Sequence, residues 1–151
     1  MIKKKDKKPI ETSLTVPAQQ ENLERVQEFV RKQAGAVLTS EKILMRLELI
    51  VEELAINIIN YGYKEEPGDI AFSCSSHQID QEKSEFVLVI RDRGIPFDPL
   101  TQPEAALQTD IDSSSPGGLG IFLTKKMADN LEYHHDGVSN VLSVTLRDLL
   151  E

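Results

Sequence analysis

The sequence predicts an α+β domain: a two-layer α/β sandwich whose sheet is mixed but mostly antiparallel, with helices on one face. Strand-sized apolar runs such as "FVLVI" are separated by short polar turns, which is typical of antiparallel hairpins. Other segments repeat apolar residues at helical spacing. The predicted order is β-α-α-β-β-α-β-β, and hairpins beside helices favour this layered arrangement.

The first half of the domain contains one strand and two helices. "SLTVPA" (13–18) is a short strand that ends at a proline. Residues 20–33 carry apolar side chains every three or four positions, which predicts a helix. A second, longer helix begins where Ser40 or Thr39 can act as the N-cap and continues to about residue 61.

The second half contains four strands and one further helix. The strands are predicted at residues 69–75, 85–91, 131–135 and 139–147, and the helix at residues 118–130. A long irregular segment, with a short helix at 103–107, precedes that helix. Irregular segments of this length are usually functional.

Composition indicates one globular domain, residues 12–151, behind a basic disordered tail, residues 1–11. Five lysines against one aspartate give residues 1–8 a net charge of +4, which leaves −12 for residues 9–151 out of a total of −8. Because phosphate contacts dominate nucleic-acid affinity, so acidic a body is a poor nucleic-acid binder. The sequence therefore predicts no nucleic-acid partner.

The same composition predicts a cytoplasmic protein. No run approaches the roughly 18 apolar residues of a membrane span. The N-terminal lysines have no apolar segment behind them, unlike those of a secretory signal. The single cysteine, Cys74, excludes an internal disulfide.

The segment "EELAINIINYGY" (52–63) places Glu53 and Asn57 one helical turn apart, on the shoulder of an apolar stripe. A carboxylate there can accept a proton or orient water. An amide oxygen one turn on is a ligand that suits magnesium. The spacing alone also describes an ordinary solvated helix face, so both interpretations remain open.

The segment "RDRGIPFDP" (91–99) follows an apolar strand. Asp92 at the strand end can accept a hydrogen bond from an exocyclic amine such as that of adenine. Gly94 lets the backbone approach a flat ligand, and Pro96 restrains the turn. These residues also make ordinary turns, and Asp98 is as readily a turn former as a ligand.

The segment "SSSPGGLGIFLTKKMAD" leads a glycine-rich turn into a helix. Such a helix start offers free N–H groups and a positive dipole end to phosphates. Residues 108–117 before it are expected to act as a lid. Lys125 and Lys126 lie more than a turn into the helix, which favours simple surface charge over phosphate binding.

Taken together, "ELAINIINYGY", "DRGIPFDP" and "GGLGIFLTKKMADNLEYH" resemble the N, G1 and G2 boxes of the GHKL ATPase superfamily, which includes gyrase, the heat-shock chaperone, histidine kinases and mismatch-repair ATPases. The resemblance covers roughly residues 12–148. Within the superfamily the chain is most similar to the anti-sigma-factor serine/threonine protein kinases of bacterial partner switches. This implies the Bergerat fold, with ATP and Mg²⁺ as ligands.

The resemblance also implies a role for each matching residue. Glu53 would be the catalytic base, Asn57 would hold the magnesium, and Asp92 would recognise the adenine amino group, with Gly94 allowing close approach. The remaining cofactor-binding residues come from the turn, the G2 box and the last hairpin, where many relatives have a threonine: Pro96, Gly118, Leu119, Gly120, Ser139 and Asn140.

The function implied is that of an anti-sigma factor with kinase activity. Such a protein binds a sigma factor or an analogous target, phosphorylates a serine or threonine of a STAS-domain antagonist, and forms a homodimer. Relatives carry a lid arginine that can stabilise the transferred phosphoryl group, whereas the matching position here is Pro116, and residues 108–117 contain no Arg or Lys. The alternative is therefore a nucleotide-gated protein-binding regulator without kinase activity.

Overall fold

The computed structural model describes residues 12–63, 67–101 and 118–149 of the chain. Within these ranges the α+β class and the predicted element order are confirmed. The elements are β1 Thr12–Pro17, α1 Leu23–Gly35, α2 Glu41–Asn57, β2 Asp69–Gln78, β3 Lys83–Asp92, α3 Gly118–Met127, β4 Asn130–His135 and β5 Asn140–Leu149. The predicted tail (1–11), short helix (103–107) and lid (108–117) lie outside the described residues, and the domain boundaries stay predictions.

The strands form one five-stranded sheet in the order β1-β2-β3-β5-β4. Every neighbouring pair is antiparallel. The expectation of antiparallel hairpins is therefore confirmed. A mixed sheet was also expected, but the described strands form no parallel pair. In the β2–β3 turn, the Asp80 carboxylate accepts hydrogen bonds from the backbone N–H groups of Glu82 (2.8 Å) and Lys83 (2.9 Å), which closes the turn.

The inner face of the sheet packs against the helices to form the core. Alternation along β3 and β5 puts every second side chain on this face, opposite the apolar stripes of α1 and α2. Core residues from these elements include Phe86, Leu88, Ile90, Val144, Leu146, Val26, Val30, Leu47, Ile50 and Leu54. The helices thus cover one face of the sheet, as predicted. No helix in the described part of the chain is long and apolar enough to cross a membrane.

Two polar pairs interrupt this apolar face, one at each end of the β3–β5 ladder. Asp92 lies opposite Asn140, and Ser84 lies opposite Asp148. All four side chains are buried. Because buried polar groups must be hydrogen-bonded, each pair requires partners from neighbouring segments.

The Asp148 end of the ladder fixes the start of α2. The Asp148 carboxylate accepts hydrogen bonds from the backbone N–H groups of Thr39 (2.7 Å) and Ser40 (3.0 Å). Ser40 is the N-cap, one of the two predicted candidates, and its hydroxyl accepts from the N–H of Ile43 at 3.3 Å. Such a cap is worth about 1 kcal/mol. The helix that carries Glu53 is thereby anchored to the sheet.

The other end of α2 differs from the prediction. The α-helix was expected to reach about residue 61, but it ends at Asn57 and continues as a π turn, Ile58–Gly62. A π turn is wider than an α turn and is often found at functional sites. Here it brings the carbonyl of Gly62 against the backbone that follows β3, where it accepts a hydrogen bond from the N–H of Ile95 at 3.0 Å.

The remaining boundaries differ by a few residues. α3 ends at Met127 and not near residue 130, because the N–H of Asp129 already donates to the carbonyl of Thr145 in β5 at 2.9 Å. β2 extends to Gln78, three residues beyond the prediction, since pairing with β3 continues to the turn.

Candidate functional site

A cavity of about 310 Å³ lies between the end of α2 with its π turn and the adjacent ends of β3, β4 and β5. Apolar side chains form most of its wall: Leu54, Ile58, Ile90, Ile95, Phe97, Pro99 and Leu142. Its polar side chains include Asn57, Asp92, Tyr133 and Asn140. An apolar cavity with a few placed polar groups is the usual form of a small-molecule site.

Asp92 supplies the carboxylate in this cavity. Its side chain is buried, with 7% of the residue exposed. One oxygen, Oδ1, accepts hydrogen bonds from the Asn140 amide (3.0 Å) and from the N–H of Gly94 (2.9 Å). Burial raises the pKa of Asp92, and these two hydrogen bonds offset part of that effect. No hydrogen bond among the described residues reaches Oδ2, which is free to accept one from a ligand.

Gly94 is required by the protein's own backbone. A Cβ atom at this position would lie 2.7 Å from the carbonyl carbon of Gly62 and 2.9 Å from Oδ1 of Asp92. The predicted reason for this glycine was close approach of a flat ligand, whereas the observed close approach is to the π turn. Gly94 thus lets the segment after β3 lie directly on the end of α2, and it holds Asp92 in place.

Gly94→Ala is expected to lower the free energy of unfolding by about 1–3 kcal/mol and to weaken nucleotide binding, because the added methyl group must push the π turn away from Asp92. Denaturant unfolding and calorimetry with nucleotide measure the two effects. The matched control is Gly35→Ala, since a Cβ atom there meets nothing within 4 Å. Equal unfolding midpoints for Gly94→Ala and the wild type would contradict this interpretation.

Asn140 lines the cavity, but its hydrogen-bonding groups are used inside the protein. The amide nitrogen donates to Asp92 and to the carbonyl of Ile95 at 3.0 Å. The amide oxygen accepts from the N–H of Phe97 at 3.1 Å and from the hydroxyl of Tyr133. An asparagine amide has two donors and two acceptor sites, so all are occupied. The predicted role of Asn140 in cofactor binding stays a prediction, and the contacts seen here connect it to Asp92 and the cavity wall.

Three residues that the sequence suggested as possible ligand contacts lie outside the cavity wall. Ser139 is buried in the β4–β5 hairpin, where its N–H donates to Asp136 at 2.7 Å, and it borders a second, more open cavity. Pro96 is exposed and lies outside the wall. Asp98 forms a turn, as one of its two interpretations predicted, since its carboxylate accepts from the N–H of Leu100 at 2.8 Å.

Glu53 and Asn57 lie on successive turns of α2, both partly buried, as their spacing predicted. Asn57 borders the cavity, and its side chain makes no capping hydrogen bond to the following turn. The carboxylate of Glu53 packs against the first turn of α3: a Cβ atom on Gly120 would lie 2.9 Å from Cδ of Glu53. A larger residue at position 120 would therefore displace the Glu53 carboxylate from this contact.

The environment of Glu53 raises the pKa of its carboxyl group. Burial is the larger cause, and the negative charge of neighbouring Glu52 is the second. A carboxylate whose pKa is moved towards neutral is a better proton acceptor near neutral pH. The structure thus places a candidate base beside Gly120, in the first turn of the helix that begins at Gly118 and Leu119.

Comparison with known families agrees with this arrangement. The model of the histidine kinase-like ATPase domain matches residues 16–146, which is most of the chain and includes the whole cavity wall. The chain belongs to this family. A comparison with individual curated proteins gave no significant match. Membership of the family supports ATP binding by this domain.

Magnesium fits the side chains of this ATPase domain. Among the described residues, no group of three or more His, Cys, Asp or Glu side chains is placed to hold a metal ion by itself. Mg²⁺ commonly takes one or two protein oxygens and completes its shell with water and substrate phosphates. The amide of Asn57, beside the cavity and without a capping partner, is suited to such a contact.

The two lysines of α3 in the ATPase domain have structural partners. The Lys125 ammonium donates to the carbonyl of Leu100 at 3.0 Å. The Lys126 ammonium lies 5.5 Å from the centre of the Phe122 ring, a cation–π contact. In the described part of the chain, no Lys or Arg lines the cavity. This agrees with the expectation that both lysines are surface charge.

Sequence reasoning missed three residues that organise this ATPase site: Gly62, Tyr63 and Tyr133. The Tyr63 hydroxyl accepts from the N–H of Arg93 and donates to the carbonyl of Asp69, both at 2.7 Å, so it ties the start of the turn to β2. Alternation in "NLEYHH" could have placed Tyr133 on the inner face of β4. The contact between Gly62 and Gly94 has no local signal, because it joins distant segments.

Proposed function

We propose that this ATPase domain is an ATP-dependent serine/threonine protein kinase that acts as an anti-sigma factor in a bacterial partner switch. It would bind a sigma factor or an analogous target and phosphorylate a STAS-type antagonist. The observation that carries the proposal is the contact of Glu53 with Gly120, because it joins a candidate base to the helix start where phosphates are expected.

In this mechanism the apolar wall and Asp92 hold the adenine ring, with Oδ2 of Asp92 accepting from the amino group. Asn57 would hold Mg²⁺ through its amide oxygen, and the bound ion would offset part of the charge of the phosphates. The oxygen of the substrate serine or threonine hydroxyl bonds to the γ-phosphorus, and Glu53 accepts the proton of that hydroxyl. The bond from that phosphorus to the bridging oxygen breaks, and ADP leaves.

The partners rest on the resemblance of the three boxes and on the family. A sigma factor or analogous target, a STAS-domain antagonist and a homodimer are proposed together because partner-switching kinases combine them. Measuring the mass of the full chain in solution tests the dimer independently, and a monomer at micromolar concentration would remove it from the proposal.

A second candidate is a nucleotide-gated regulator that sequesters a protein without phosphorylating it. One observation favours it: the lid position that carries arginine in relatives is Pro116, and residues 108–117 contain no Lys or Arg. Without such a cation, charge on the transferred phosphoryl group is less stabilised, and the loss in rate can reach about 10³-fold or more.

One experiment separates these two candidates. The full chain is incubated with Mg²⁺, γ-labelled ATP and a purified STAS-domain antagonist from the same genome, and label on serine or threonine is counted. Calorimetry on the same sample measures ATP binding. Transfer of label supports the kinase. Bound ATP without transfer supports the regulator, and absence of both would refute nucleotide-dependent function altogether.

The pH dependence of transfer tests the role of Glu53 as a base. Transfer is expected to fail as the pH drops through the raised pKa of Glu53, because the protonated carboxyl cannot accept a proton. Glu52→Gln removes the second cause of that raised pKa, so the acid limb of the single-turnover profile is expected to move to lower pH. Glu28→Gln, an exposed glutamate of α1, is the control. An unmoved limb in Glu52→Gln would contradict the assignment.

A further inference from the structure

We propose that Asn140 is a positioning residue for nucleobase selection: it holds one oxygen of Asp92 and so directs the other at the base, while Tyr133 fixes the direction of the Asn140 amide. The proposal rests on nucleotide binding in the cavity, and it concerns which purine is bound. The ligand class selected is a purine nucleotide with a 6-amino group.

The orientation of the Asn140 amide is forced by its neighbours. Two donors, the N–H of Phe97 and the hydroxyl of Tyr133, point at one side of the amide, so its oxygen must lie there. Two acceptors, Oδ1 of Asp92 and the carbonyl of Ile95, face the other side and require the NH₂ group. The reversed amide would place its oxygen against the Asp92 carboxylate and its NH₂ group against the N–H of Phe97. Only one orientation therefore allows all four hydrogen bonds.

This fixed amide decides which part of Asp92 a ligand meets. With Oδ1 bonded to Asn140 and to the N–H of Gly94, the carboxylate cannot rotate without losing both bonds. The remaining oxygen is then a pure acceptor in a buried, mostly apolar cavity. A 6-amino group can donate to it, whereas a 6-oxo group would place oxygen against a carboxylate. Selection therefore depends on the hydrogen bonds from Asn140 and Gly94 that hold Asp92 as well as on its charge.

Asn140 also shapes the wall that any purine would contact. Its bonds to the backbone of Ile95 and Phe97 hold the turn whose side chains line the cavity and are about half exposed. Loss of the amide is thus expected to act in two ways. Loosening the wall weakens every purine nucleotide equally, while freeing the carboxylate weakens only those with an amino group.

The ratio of two affinities separates these effects. Binding of ATP and of purine riboside triphosphate, which lacks only the 6-amino group, is measured by calorimetry with Mg²⁺. The wild type is expected to prefer ATP by about 10- to 100-fold, the range for a hydrogen bond to a charged group. In Asn140→Ala the preference is expected to fall below about threefold, with a smaller fall in Tyr133→Phe, because Phe97 still fixes the amide.

Ile95→Ala is the matched control, since it alters the wall and leaves Asp92 and Asn140 untouched; both affinities should drop with the ratio kept. An unchanged ratio in a folded Asn140→Ala protein would overturn the proposal, and if that variant does not fold, an unchanged ratio in Tyr133→Phe would do so. A wild type that binds neither nucleotide would instead refute nucleotide binding itself.

Discussion

Glu53→Gln is expected to lower the rate of phosphoryl transfer by about 10²- to 10⁴-fold, the usual contribution of a general base. The amide has the size of the carboxylate, so it fits the space that Gly120 leaves beside α3. It cannot accept a proton at neutral pH. ATP affinity should change little, because Glu53 lies outside the cavity wall.

Single-turnover transfer from labelled ATP to the antagonist measures the rate, and calorimetry measures the affinity. Glu52→Gln is the control for removing a negative charge from the same turn of α2 while the base is kept. A Glu53→Gln rate within about threefold of the wild type would show that the carboxylate is not the proton acceptor, whatever the affinity.

Asp92→Asn is expected to weaken ATP binding by about 10- to 100-fold, because a neutral side chain replaces the charged acceptor of the amino group. The folded protein should not be less stable. Burial raises the pKa of Asp92, so ionising it opposes folding, and that cost grows as the pH rises through the ordinary and then the raised pKa. At neutral pH the asparagine avoids this cost and keeps an oxygen for Gly94 and Asn140.

Weaker ATP binding by a protein that is at least as stable as the wild type would show that Asp92 contacts the ligand and is not needed only for folding. Calorimetry and denaturant unfolding at neutral pH provide the two measurements. Asp98→Asn is the matched control, because its carboxylate serves a turn and its amide oxygen can still accept from Leu100. Unchanged ATP affinity in Asp92→Asn would show that the carboxylate does not contact the base.

Periodicity was enough to predict the α+β class and the order of strands and helices, because burial of alternating or helically spaced apolar residues decides where these elements form. It failed at the π turn. The apolar spacing of Ile58 and Ile59 continues that of α2, so a longer α-helix was predicted. The π turn accompanies a contact of Gly62 with Gly94 and Ile95, and no local pattern encodes a contact between segments so far apart.

The candidate site was predictable where chemistry is local. Asp92 at a strand end and Asn57 on the shoulder of a helix were predicted for the site, and both border the cavity. Ser139 and Asn140 could not be told apart by composition. Asn140 is the first residue of β5 and pairs with Asp92, whereas Ser139 lies just before the strand and borders the second cavity. Deciding between them required the β3–β5 register, which the sequence alone does not give.

That register has a consequence for folding as well as for binding. Ser84 and Asp92 are eight positions apart on β3, and so are Asn140 and Asp148 on β5, so the strands have one alignment in which all four meet a polar partner. A shift of β5 by two residues along β3 would keep the apolar side chains on the inner face. It would place Asp92 opposite Leu142 or beyond the end of β5, and the buried carboxylate would lose its polar partner. Asp92, which is proposed to bind the base, thus also helps to fix the alignment of β3 with β5.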